Sequence, residues 1–205
     1  SRIRLLDDTE IISVNPLALE TIEFQQNHLR LNSETTDLTL EYLALNAPGE
    51  NGLDTGLADL TVNGSVDVQS GRLASSGGII DFSGSVQFDP SFSILDLDNT
   101  SMNLSELFQL SSVLRFGGTT SLPTNDLLDL SGASIELGGN LNLEGIHTDN
   151  TTFIELKDNS SISSQGEVML GRLMTHGYSL ELGSANTDLS LLGIGEPSQT
   201  PEDRD

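Results

Sequence analysis

Along much of the chain every second residue is apolar. The plainest form is a nine-residue stretch, apolar-x-apolar-x-Gly-x-apolar-x-apolar. It runs through Leu60, Val62, Gly64, Val66 and Val68, and again through Ile80, Phe82, Gly84, Val86 and Phe88. Further copies are Phe108, Leu110, Ser112, Leu114, Phe116, with Ser for Gly; Ile135, Leu137, Gly139, Leu141, Leu143; and Ile162, Ser164, Gly166, Val168, Leu170. Alternation of period two places successive side chains on opposite faces, the signature of half-buried strands. A helix would need apolar residues at i, i+3 and i+4, and that spacing is missing.

The central residues of these stretches fall at 64, 84, 112, 139 and 166, so the last three steps are 28, 27 and 27. A second motif, apolar-acid-apolar, precedes a short polar turn at Leu95-Asp96-Leu97, Leu128-Asp129-Leu130, Ile154-Glu155-Leu156 and Leu180-Glu181-Leu182. Its last three copies start at 128, 154 and 180, again an even step. Recurrence at a near-constant step points to a repeat architecture. The expected fold is all-β, a right-handed parallel β-helix (β-solenoid) with about 27 residues per coil and seven or so coils. An antiparallel β-sandwich is the alternative, since it also gives alternating strands and Gly turns, but it has no reason to keep a constant step. In the solenoid, Val62, Val66, Phe82, Val86, Leu110, Leu114, Leu137, Leu141 and Val168 point inward and stack in columns. Residues 1–52 read as an irregular N-terminal β segment and possible cap. Residues 53–193 read as the solenoid repeats, and 194–205, with two Pro and several charges, as a disordered tail.

Charge narrows the partners. Lys and Arg number 8 against 31 Asp and Glu, a formal net charge of −23. Such a field repels nucleic acid and anionic membrane surfaces, whose binding draws on Lys and Arg. No apolar run is long enough to span a bilayer as a helix. Cys is absent, so disulfides play no part. The opening Ser1-Arg2-Ile3, without Met or a signal peptide, reads as a segment of something larger. An acidic surface also suits divalent cations. If Asp96, Asp129, Glu155 and Glu181 share one outward column, the column is a candidate Ca²⁺ ladder; no other cofactor is suggested.

The stretches Gly139-Asn140-Leu141-Asn142-Leu143-Glu144-Gly145 and Asn159 to Leu170 resemble the repeats of large bacterial exoproteins of the filamentous haemagglutinin type, secreted by a two-partner system. The resemblance covers about residues 55–193 and rests on rhythm and composition. It implies a right-handed parallel β-helix at the cell surface or outside the cell. The step near 27 is longer than that family's usual repeat, and Asn15-Pro16 is followed by Leu17-Ala18 rather than by the Asn-Gly of the secretion-domain signature. Segments of other adhesins or autotransporter passengers fit equally well.

Catalytic constellations are hard to assemble. His28, His147 and His176 sit in no nucleophile-elbow or zinc-helix context, and the last two read as exposed turn residues. Paired carboxylates for glycoside hydrolysis arise by chance among so many acids, and Tyr42 and Tyr178 are the only tyrosines to stack on a sugar. Lyases that act on acidic polymers need cations that are scarce here. The expected function is a non-catalytic structural or adhesive segment of a secreted bacterial surface protein, with neutral glycans or host and cell-surface proteins as candidate partners. The alternative is a carbohydrate-active β-helix enzyme, a lyase or a glycoside hydrolase.

Overall fold

The computed structural model describes residues 1–32, 34–106, 108–122, 128–143, 146–183 and 187–195. They form a β-solenoid of about eight turns, with about 21 residues per turn. Every strand pairing is parallel, which excludes the sandwich, whose hairpins would pair antiparallel. No helix occurs among the described residues.

Each coil lays down three strands, one on each face of the stack. The second and third faces run unbroken through the molecule. On the second face Thr9–Ile11, Leu29–Leu31, Gly52–Asp54, residues 71–75 of the strand Val66–Ser75, Ser93–Asp98, residues 113–117 of the strand Val113–Ser121, residues 134–137 of the strand Ser134–Asn142, Phe153–Leu156 and Arg172–Met174 lie side by side. The long strands Val66–Ser75, Val113–Ser121 and Ser134–Asn142 each turn a corner and also serve a neighbouring face. Eight steps carry the chain from Glu10 to Met174 in one continuous register. The third face begins at Leu17–Leu19 and reaches Leu180–Leu182. The first face is broken into short ladders, such as Arg2–Arg4 with Thr21–Glu23, and Phe108–Gln109 with Leu128–Asp129 and Ile146–His147.

The expected period of 27 is corrected to about 21, and the reason is geometric. Gly64 and Gly84 stack at the corner between the third and first faces. Ser112 lies between the first and second faces, Gly139 between the second and third, and Gly166 back at the third-to-first corner. Each of the longer steps between these central residues therefore advances one coil and one further face. From Gly84 to Gly166 the chain completes four coils rather than three. Alternation looks the same on every face, so it reveals which side chains point inward but not which side of the coil they are on.

Inward orientation holds. Val62, Val66, Phe82, Leu110, Leu114, Leu137, Leu141 and Val168 are buried, each at most 2% exposed. They stack in columns, as Val62 on Phe82, Leu114 on Ile135 and Leu141 on Ile162. Val86 is only half-buried. It pairs with Val66 in the coil before it, but among the described residues no strand pairs with its other side. The coils do not begin at residue 53. Strands from Arg2 onward already stack in the registers of the later coils, and residues 47–51 turn the corner into the strand Gly52–Asp54. From residue 196 the expected tail lies outside the described residues.

Candidate functional site

Outward positions of the second face carry most of the charge pairing. One column reads Glu10, Arg30, Asp54, Ala74, Asp96, Arg115, Glu136, Glu155, Met174, one residue per coil. Strands are about 4.8 Å apart, so successive members of this column are within reach of one another.

Arg115 sits in the middle of the column. Its Nε donates to Glu136 at 3.0 Å, and its Nη1 donates to Glu50 at 2.9 Å and lies 4.0 Å from Asp96. Arg72, one column over, donates to Asp96 through Nε at 2.8 Å, with Nη2 2.7 Å from the same oxygen, and lies 3.7 Å from Glu50. Glu50 comes from the corner loop before Gly52 and is tied to both arginines. The hydrogen bond from Arg115 holds the Glu50 carboxyl below the usual carboxylate range, and the Arg115 guanidinium keeps its proton more tightly in return. Farther along, Glu155 accepts from Lys157 at 2.8 Å and contacts His176 Nε2 at 2.9 Å. The Lys157 hydrogen bond, foremost, lowers the Glu155 carboxyl.

The four acids expected to form one ladder do not share a column. Asp96 and Glu155 are both in the second-face column, three coils apart, with Arg115 and Glu136 between them. Asp129 is on the first face, between Gln109 and His147. Glu181 is on the third face, beyond Ser161. Their even step is again a coil plus a face. The single-column geometry behind the Ca²⁺ expectation is thereby corrected, and no cluster of three or more His, Asp or Glu able to hold a metal occurs among the described residues.

Sequence reasoning missed Arg72, Arg115, Lys157 and Glu50. Leu114-Arg115-Phe116 has the same apolar-x-apolar form as the acidic motifs, with a base at its centre, so a search restricted to acids passes over it. His147 is exposed at a strand end on the first face; His176 is exposed too, yet bound to Glu155.

Beside the charged column the surface dips. Asp96, Asp98, Arg115, Gly117, Glu136, Gly138 and Lys157 line a shallow depression of about 300 Å³. Its glycines, Gly117 and Gly138, stack in adjacent coils next to Gly118 and Gly139, where the chain turns onto the third face. The nearest outward residues on that face are uncharged: Thr119 and Ser121, then Asn140 and Asn142, then Ser161 and Ser163, with Glu181 following Ser161 in the next coil. Ser161 Oγ donates to Asn140 Oδ1 at 2.8 Å, linking two coils along the axis.

No protein-family model matches the chain, and no significant match is found among curated proteins or solved structures.

Proposed function

We propose that the chain is a non-catalytic rod, a structural or adhesive segment of a large bacterial protein displayed at or beyond the cell surface. The observation that carries this reading is the use made of its scarce cations. Arg2, Arg4, Arg72, Arg115 and Lys157 each lie within 4.0 Å of a carboxylate in the same or a nearby coil. A cation neutralised in this way holds coils together; it is poorly placed to stabilise an anion that develops on a substrate. Eight steps of about 4.8 Å make a stack about 38 Å long, presenting flat polar faces along its side. The resemblance to haemagglutinin-type repeats supports the cell-surface setting.

The test is an activity screen of the purified chain against acidic and neutral polysaccharides, following new reducing ends and the ultraviolet absorbance of lyase products. The rod reading expects neither signal above a heat-treated control. Reproducible cleavage of any polymer that Glu136→Gln or Asp96→Asn abolishes would overturn it.

A further inference from the structure

The glycine-paved corner between the second and third faces combines features that the rod's architecture alone does not require. Gly118 has φ +50°, and a Cβ on Gly139 would collide with the Gly118 carbonyl, so the backbone accounts for these two glycines. Gly138 is different. A Cβ there would meet nothing nearer than Lys157 Cβ at 3.8 Å and the Phe116 carbonyl at 3.9 Å, ordinary contacts, and its φ is not left-handed. Backbone packing leaves room for a side chain at this position. What its absence maintains is the open floor of the depression between Asp96, Arg115, Glu136 and Lys157.

We infer that this saddle binds a neutral polysaccharide, a proposal that rests on the adhesive form of the reading above. Three observations select the ligand. The depression offers both donors, Arg115 and Lys157, and acceptors, Asp96, Asp98 and Glu136, and vicinal hydroxyls use both kinds. The adjoining third-face positions Thr119, Ser121, Asn140, Asn142, Ser161 and Ser163 are uncharged in a chain of net charge −23, with the first charge of that column, Glu181, one coil beyond Ser161. Hydroxyl and amide groups pair with sugar hydroxyls without the desolvation of an ion. The depression is shallow and its glycines Gly117 and Gly138 stand next to the corner, which suits a chain laid across the surface better than a molecule enclosed in a pocket. An acidic polymer would meet the net negative field of the whole rod.

The experiment is native electrophoresis of the full chain through gels that contain dextran, mannan or a mixed-linkage β-glucan, with polygalacturonate as the acidic arm. The wild-type chain should be retarded by at least one neutral polymer. Gly138→Leu, which fills the floor, should weaken that retardation at least fivefold in apparent affinity. Ser161→Asp, which moves the column's first charge from Glu181 one coil closer to the saddle, should weaken it as well and serves if Gly138→Leu does not fold. Gln109→Leu on the first face should have no effect. Absence of retardation in all three neutral gels overturns the proposal. So does retardation unchanged in both saddle variants, or stronger retardation by polygalacturonate. Retardation accompanied by cleavage supports the saddle and overturns the rod, so the two failures remain distinct.

Discussion

Arg115 stacks directly between Asp96 and Glu136 in successive coils, and its guanidinium contacts both of them together with Glu50. In a chain of net charge −23 this one residue sits one strand spacing from each of two carboxylates that are themselves two spacings apart. Opposite unit charges about 4.8 Å apart in water attract by about 1 kcal/mol. Arg115→Gln should therefore destabilise the stack by about 1 kcal/mol, the upper part of the range for exposed pairs. The loss should be larger in low salt than in 0.5 M NaCl, because partly exposed charges are screened. Urea melts at the two salt concentrations test this; a loss equal at both would mean that Arg115 contributes by packing alone.

Glu155 gives the pH counterpart. Its carboxyl is lowered in the folded state, chiefly by the hydrogen bond from Lys157. A depressed carboxyl stabilises the fold above its unfolded value, about 4.3, and that contribution is lost as pH falls through the folded value. Glu155→Gln should be less stable than wild type at pH 7 by about 0.5 kcal/mol, a magnitude suited to a partly exposed pair. The gap should close as the pH is lowered from 5 to 3. Comparing the variant with wild type cancels the general relief of repulsion as other acids protonate. A gap that persists at pH 3 would rule out the ionised carboxylate as its source.

Ser112 is the one buried residue whose side-chain oxygen lacks a hydrogen-bond partner among the described residues. It stacks between Ser93 and Ala133 at the first-to-second corner. Ser93 and, beyond Ala133, Thr152 donate their hydroxyls to carbonyls, whereas Ser112 does not. A buried hydroxyl without a partner carries a desolvation penalty with no return. Ser112→Ala should leave the melting temperature unchanged or raise it, against the usual trend for core substitutions. A fall of several degrees would mean that the hydroxyl has a partner in solution.

Leu141 tests the core. It is 1% exposed, between Thr120 and Ile162 in its column. Leu141→Ala should cost about 2–5 kcal/mol, since each coil fixes its neighbours and leaves little freedom to collapse into the space. Equilibrium denaturation measures it, and a cost below about 1 kcal/mol would show that the interior repacks readily.

The inward set was legible in the sequence because alternation has a single physical cause, the two-residue pleat. Leu114, Leu137 and Leu141 are buried as the pattern requires. Coil length was not legible, because all three faces alternate alike and motifs a coil and a face apart look identical in text. The charged column depends on the coil length. Asp96, Arg115 and Glu136 come together only in the shorter register that the strand pairing sets. With the longer period the acids fell into a column that the structure does not contain, and the arginine that organises the real one was passed over.

Gly138 and Gly139 are neighbours whose substitutions should differ sharply. Both follow Leu137 on the strand Ser134–Asn142, and both stack on glycines of the preceding coil. A Cβ at Gly139 would be driven into the Gly118 backbone, where φ is +50° and the chain turns the corner; neither side can yield without opening the Gly118–Gly139 pairing. A Cβ at Gly138 meets only ordinary contacts, the nearest at 3.8 Å. Gly139→Ala should therefore cost about 1–3 kcal/mol, as at other overpacked sites. Gly138→Ala should be neutral or slightly stabilising, because alanine restricts the unfolded chain at no cost in strain. Thermal melts of the two single variants, measured side by side, decide it. Equal losses would show that the corner is held by something other than the close approach of the two backbones, and would remove the ground for treating Gly138 as a position kept open for a ligand.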